Sequence, residues 1–378
     1  MDLTIDQSTL GRALRLVARI TPAKAALPIL QMVLLEAEPS RLRLTAADGE
    51  LGVTITLAAD VAAAGRAAIP ARLLSEYVSQ LPAEPLRLTL DSGTQRVRAV
   101  CDRFQAALAT ADPEDFPVFP AADDAQALEL DGQRLQDAIT RVAFAASRDQ
   151  SRPVLSCVLF DLGPEGLSLA AADSFRLARS RVPEAVGATR QLLVPARAAV
   201  EFGRLLDGGE AARLVPTPDG RGLYLRVKET TLFTQLMDGR FPDIERVIPQ
   251  EWTTRVTIET TAFRQAVRVA SLFGAGEARP VRLDAEAGRL HLHARGDDVG
   301  DAHSEIAVRV EGEPGAVVLN TRLLADLLDA ASGPHLDMAW TSPQAPVVVR
   351  QTGQPEAGDL WVIMPLYDAA LMQRQTQV

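Results

Sequence analysis

His291 and His293 alternate along Leu290-His291-Leu292-His293, a spacing that on a strand turns two imidazoles to one face. Two nitrogen ligands so placed could hold a divalent metal, and a metal-dependent hydrolase is one reading of the chain. A solvent-facing pair on one strand answers the same spacing, and the equivalent segments Leu42-Arg43-Leu44-Thr45 and Leu167-Ser168-Leu169-Ala170 carry no ligand types. Other catalytic patterns are missing. Gly274-Ala275-Gly276 follows a helical pattern, whereas a phosphate loop follows a strand. No Ser, Cys or Asp stands in a nucleophile context. Asp123-Asp124 and Asp297-Asp298 lie in loop-like sequence and read as solvated turns. The residues imply no cofactor and no catalytic constellation.

The pattern that does recur is basic. Arg12, Arg15 and Arg19 lie on one amphipathic segment, Arg134, Arg141 and Arg148 on or just after a second, and Arg264 and Arg268 on a third. The whole chain has a net charge of −10, which alone argues against non-specific binding to nucleic acid. Three solvated helix faces would account for any one of these segments. The same sign in three equivalent helices of an acidic chain instead suggests a basic surface that attracts phosphate without reading bases.

Those helices belong to a unit used three times. Leu3-Thr4-Ile5, Leu128-Glu129-Leu130 and Val256-Thr257-Ile258 alternate as strands. Each leads into a helical pattern: Leu10, Ala13, Leu14 and Val17; Leu135, Ala138, Ile139 and Val142; Phe263, Ala266, Val267 and Ala270. Asp6 and Ser8 are capping candidates for the first. A second helix follows Ile69-Pro70, Val194-Pro195 and Leu319-Asn320. The closing mark Asp238-Gly239-Arg240-Phe241-Pro242-Asp243 has counterparts in Asp115-Phe116-Pro117 and Met364-Pro365. A period near 125 residues is too long for a solenoid and describes whole domains in a row. Linkers are expected at 120–124 and 247–250.

At 378 residues the chain has room for two or three domains. A hydrophobic share of 47% with 4% aromatics predicts aliphatic cores. Cys101 and Cys157 make no disulfide framework and point to a reducing, cytoplasmic setting. The N-terminus lacks the basic-then-apolar order of a signal peptide, and no apolar run approaches a bilayer crossing.

Four segments in order, Leu27-Pro28-Ile29-Leu30, Ala172-Asp173-Ser174-Phe175-Arg176-Leu177-Ala178, Asp238-Gly239-Arg240-Phe241-Pro242-Asp243 and Val362-Ile363-Met364-Pro365-Leu366, set within three repeats, resemble the bacterial DNA polymerase sliding-clamp family. The likeness covers essentially the whole chain. It implies an α+β fold of three tandem clamp domains, at 1–121, 122–250 and 251–378, closed by a head-to-tail homodimer into a ring of six domains around duplex DNA. Implied partners are duplex DNA, the replicative polymerase, the clamp loader and other proteins carrying short clamp-binding peptides.

By position in the family's motifs, the peptide groove falls on Leu155, Ala172, Asp173, Ser174, Phe175, Arg176, Leu177, Pro242, Arg246, Val247, Asn320, Val362, Met364, Pro365 and Leu366. Leu155, Leu177, Val247, Val362 and Leu366 are expected as apolar walls. DNA contacts fall on Arg19, Lys24, Arg141, Arg148, Arg152 and Arg268. The protomer interface falls on the edge Arg103 to Ala109, with Leu108 meeting Leu272 or Phe273. Ala172 and Ser174 stand where the family often has Thr and Gly, and Tyr367 where a basic residue is frequent. The apolar residues of the extension 368–378 are expected to fold back near the groove. A protein-only scaffold with incidental basic helices is the alternative from a different class.

Overall fold

The computed structural model describes residues 1–367 other than 92, 123, 150, 184–188, 275, 277, 297–299 and 354–357. The acidic pairs at 123–124 and 297–298, residue 275 of the glycine-containing loop and the extension 368–378 therefore fall wholly or partly outside the described residues.

Among the described residues six α-helices stand where the repeats place them: α1 (Gln7–Ile20), α2 (Ala71–Ser79), α3 (Gly132–Val142), α4 (Ala196–Leu205), α5 (Thr260–Ser271) and α6 (Thr321–Ala330). All twelve apolar positions read from the sequence of α1, α3 and α5 are buried, because residues three and four apart share one helix face. Around these helices the order of elements recurs three times. Among the described residues a strand leads into a helix, four or five strands follow before the second helix, and three strands close the repeat.

The helix starts are built by side chains. Asp6 caps α1 by accepting from Thr9 N, and Ser8 Oγ donates to the same carboxylate at 2.6 Å. Glu259 caps α5, accepting from Ala262 N at 2.6 Å and Thr261 N at 2.9 Å. Each carboxylate satisfies N–H groups that the helix itself leaves without partners.

The strands do not stop at the repeats. Chain contacts group into two compact units, Met1–Gln133 with Leu205–Leu236, and Arg134–Arg204 with Met237–Val378. In the first unit, Thr230–Gln235, the last strand of the central repeat, pairs antiparallel with Leu51–Ala58 of the first repeat, so an eight-stranded sheet spans both. In the second unit, Leu360–Ile363, the last strand of the third repeat, pairs with Arg176–Val182 of the central repeat, and a nine-stranded sheet results. Sequence repeats and compact units thus differ. Backbone groups at each strand edge must find partners, and here they find them in the neighbouring repeat. The expected linker at 120–124 starts from packed residues: Tyr224 Oη donates to Pro120 O, and just before it the rings of Phe119 and Phe233 lie 5.3 Å apart.

Within the second unit, Asp359 forms a buried polar node. It accepts from Ser180 Oγ at 2.6 Å and pairs with Arg141 Nη1 at 3.1 Å, while Trp361 Nε1 donates to Arg141 O at 2.9 Å. Arg141, a predicted DNA contact, therefore directs its charge to Asp359 and Asp137 instead of to solvent. Its side chain is only 18% exposed.

The N–H donors of Ala262 and Thr261 hold the Glu259 carboxyl below the usual carboxylate range. Its contribution is present above the unfolded carboxyl pKa of about 4.3 and is lost as pH falls through the lower folded value. Glu259→Gln should therefore melt below wild type at pH 7, with the gap closing as pH is taken below about 4. A gap that stays constant from pH 7 to pH 3 would show that the carboxylate does not cap the helix.

Candidate functional site

The predicted groove residues are assembled where the ladder of Arg176–Val182 and Leu360–Ile363 ends. Arg176 lies opposite Ile363 and Leu177 opposite Val362. Beyond the ladder, Met364 N donates to Phe175 O and Leu366 N donates to Val318 O, each at 2.8 Å. The segment Met364-Pro365-Leu366 is so tied to the turn at 173–175 on one side and to the strand Gly315–Asn320 on the other. All three residues are half-buried.

The turn is set by Asp173, whose Oδ1 accepts from Phe175 N at 2.7 Å and from Arg176 N at 2.9 Å. Its second oxygen accepts from Arg176 Nε at 3.0 Å, and Arg176 Nη1 donates to Asp326 of α6 at 2.6 Å. The guanidinium also lies over the Phe144 ring, 5.3 Å from its centroid. Held by two carboxylates and 10% exposed, Arg176 positions the turn and α6. Ser174 and Phe175 are left exposed, Phe175 by 61%.

Beneath them lies an apolar cluster containing Ala172, Leu177, Val362, Phe241, Ile248 and Leu360, with Val154, Met237 and Ile244 half-buried at its edge. Leu177 and Val362 are 4% and 2% exposed, so they are core, where the sequence reading had them as walls. Leu155 is half-buried, and its carbonyl accepts from Ser147 N at 2.8 Å. Pro242 and Val247 are exposed, and Arg246 pairs with Asp243 at 2.9 Å while remaining 84% exposed. Asn320 caps α6 through Arg322 N and Leu323 N.

Val154, Met237, Ile244, Phe144 and Asp326 were not singled out from the sequence. Met237 and Ile244 bracket the Asp-Gly-Arg-Phe-Pro-Asp mark, and that adjacency was the available signal. Gly239 within it has φ 141°, and a Cβ there would sit 2.8 Å from Val154 Cγ2, so the mark needs glycine for both conformation and space.

The basic positions divide. Lys24, Arg148 and Arg152 are exposed, with Arg152 Nη1 donating to Ser174 Oγ at 3.4 Å. Arg19 is exposed in the last turn of α1. Arg268 is 66% exposed and meets Asp329 at 3.0 Å. Arg264 donates to the carbonyls of Leu328 and Ala331, which close α6, and so has a structural partner there.

Of the interface positions, Arg103 is exposed beside the Phe104 ring. Leu272 is 73% exposed just after α5, and Phe273 is half-buried. Leu108 is 5% exposed, buried within its own domain, while Phe104 at the start of the same strand is 40% exposed and is the large apolar residue that the strand leaves accessible.

His293 and His303 lie opposite each other on adjacent strands with their Nδ1 atoms 3.2 Å apart, and the His291 ring is 5.6 Å from that of His303. Burial and the neighbouring His303 push the His293 pKa down. Among the described residues no group of three or more His, Cys, Asp or Glu is arranged to hold a metal.

Family models for the N-terminal, central and C-terminal domains of the DNA polymerase III beta subunit match residues 1–120, 129–243 and 245–367 in series. The chain is 29% identical over 374 residues to the beta sliding clamp of Caulobacter vibrioides, covering 97% of this chain and all of the relative. It is 28% identical over 380 residues to that of Streptomyces coelicolor, covering 97% and 99%. Its fold matches the Pseudomonas aeruginosa sliding clamp bound to griselimycin with a TM-score of 0.91 at 24% identity, over 97% of this chain and all of that one. The Bacillus subtilis DNA polymerase sliding clamp matches with 0.91 at 22% identity, over 97% and 99%. The chain belongs to the DNA polymerase III beta subunit family.

Proposed function

We infer that the protein is a sliding clamp: a processivity factor that encircles duplex DNA without sequence preference and tethers the replicative polymerase, clamp loader and repair proteins through the site described above. The observation that carries this reading is the three-domain family match running in order along residues 1–367. The protein has no catalytic role of its own in it, and it works in the cytoplasm. Repeat boundaries near 121 and 250 serve as the domain limits.

The strand pairing supports closure by a second copy. At each internal junction the last strand of one repeat pairs with the third strand after the first helix of the preceding repeat: Thr230–Gln235 with Leu51–Ala58, and Leu360–Ile363 with Arg176–Val182. The first repeat's last strand, Phe104–Ala109, and the third repeat's counterpart strand, Gly300–Ala307, each end a sheet. Joining them between two copies applies the same rule twice more and leaves none of these strands open. Such a heterologous contact closes after two copies. Leu272, exposed at the end of a helix packed against Gly300–Ala307, adds apolar surface there.

In this account the DNA-facing side chains are Arg19, Lys24, Arg148, Arg152 and Arg268. They contact phosphate, which positions but carries no sequence information, so the ring slides. Arg141 contributes structure through Asp359. The partner peptide places apolar side chains against Leu155, Val247, Met364 and Leu366, over the floor of Leu177 and Val362. A flexible thioether at Met364 suits a surface that accepts several partners.

On primed circular DNA with loader and cognate polymerase, the wild-type protein should give long products, and Met364→Ala/Leu366→Ala should give short ones while still dimerising. Loss of two half-buried apolar anchors should weaken peptide binding by about tenfold or more. Absence of stimulation by the wild type would leave the protein-only scaffold as the better reading. Separately, Leu272→Asp should shift sedimentation from dimer toward monomer, weakening association by about tenfold or more. Unchanged sedimentation would place the interface elsewhere.

A further inference from the structure

The second unit holds a polar cavity of about 360 Å³ between its nine-stranded sheet and the connecting segment 245–252. Arg179, Arg181, Arg255 and Arg350 line it, against Glu245, Glu251 and Asp337. Arg179 and Arg350 lie in one lateral row of the sheet, each opposite Leu360, so alternation puts them on one face. Arg179 is 5% exposed, its Nη1 donates to Glu245 at 2.5 Å, and its buried Nε has no hydrogen-bond partner. A guanidinium presents donors in planar forks that match a carboxylate, and Glu245 on Nη1 leaves the fork that contains Nε unfilled. Glu245 is 61% exposed, so the partner it does have is held from the solvent side.

We propose that this cavity is a carboxylate subsite for an acidic side chain of the partner segment, and that Glu245 occupies it until the segment docks. This rests on the groove reading given above. Several features favour a carboxylate. Among the described residues that line it, four arginines against three acids leave an excess of one positive charge, which suits a monoanion better than a phosphate dianion. Arg255 is already committed to Asp337 at 2.8 Å and lies 6.0 Å over Trp252, so the incoming acid meets Arg179.

The cavity is also joined to the groove. Ile248 and Val348, which line it, belong to the same apolar cluster as Leu177 and Val362. Glu245 begins the short turn Glu245–Val247, whose Arg246 and Val247 are groove positions. A segment that presses on Val247 therefore acts on the element that carries Glu245. Exchange of one carboxylate for another on Arg179 adds specificity for acidic partners without burying a new unpaired charge.

The test uses synthetic peptides with two or three large apolar anchors and a glutamate walked along the flanking positions, each compared with its glutamine twin. Binding to the full chain is measured by calorimetry. At one position the glutamate peptide should bind wild type more tightly than its twin by about tenfold. Glu245→Ala should widen that preference and Arg179→Gln should remove it, while the glutamine peptide binds both variants as it binds wild type. That last result also shows that Arg179→Gln is folded. Equal binding of all glutamate and glutamine pairs to wild type, or a preference that survives Arg179→Gln, would overturn the subsite and leave the groove intact. Failure of every peptide to bind wild type would instead remove the groove reading and this inference with it.

Discussion

The antiparallel pairing of Arg176–Val182 with Leu360–Ile363 is the constraint on which the functional surface depends. It joins two repeats by backbone hydrogen bonds, and everything near the site is placed by it. Leu177 and Val362 become adjacent core residues, Met364 N finds Phe175 O, and Asp359 comes within reach of Ser180 and Arg141. Backbone pairing fixes position to a fraction of a residue, because a slip of one would turn every side chain to the opposite face. A groove built at such a junction is rigid where it is core and adaptable only at its rim.

The same rule organises the rest of the chain. Each junction pairs the last strand of one repeat with a strand of the repeat before it, so two junctions satisfy four edges, and among the described residues the strands in the corresponding positions at the two ends of the series, Phe104–Ala109 and Gly300–Ala307, each end a sheet. Exposed edges are sites of association. In the proposed processivity factor that property becomes useful, since joining these two edges between copies would complete a closed assembly. Electrostatics follow from closure: a ring that cannot leave DNA sideways needs only weak, base-blind phosphate contacts, which a chain of net charge −10 can supply locally from a few arginines and one lysine.

Much of this was legible in the sequence, and the limits have physical causes. Helical spacing identified Leu10, Leu14, Leu135, Ile139, Phe263 and Val267 as buried, because amphipathicity is a property of one element. The recurrence of strand, helix and closing mark gave the three-repeat order. What it could not give was long-range partnership. Arg141 reads like Arg134 or Arg148 until Asp359, more than two hundred residues away, is placed beside it. Leu108 reads as a side chain open to a partner protomer, although its strand does end a sheet and its side chain is buried within its own domain. Leu177 and Val362 sit in motifs and are core all the same, since the pairing that buries them brings together segments far apart in sequence. Asp326, which fixes Arg176, belongs to no motif, and only the fold reveals it.

The central claim is topological, and a topological measurement tests it most directly. The protein is loaded onto nicked circular DNA by its loader, free protein is removed, and retention is followed before and after the circle is cut once. The account predicts long retention on the circle and rapid loss from the linear product, with blocks at both ends restoring retention. Equal retention on cut and uncut DNA would mean that contacts hold the protein in place of encirclement, and would contradict it.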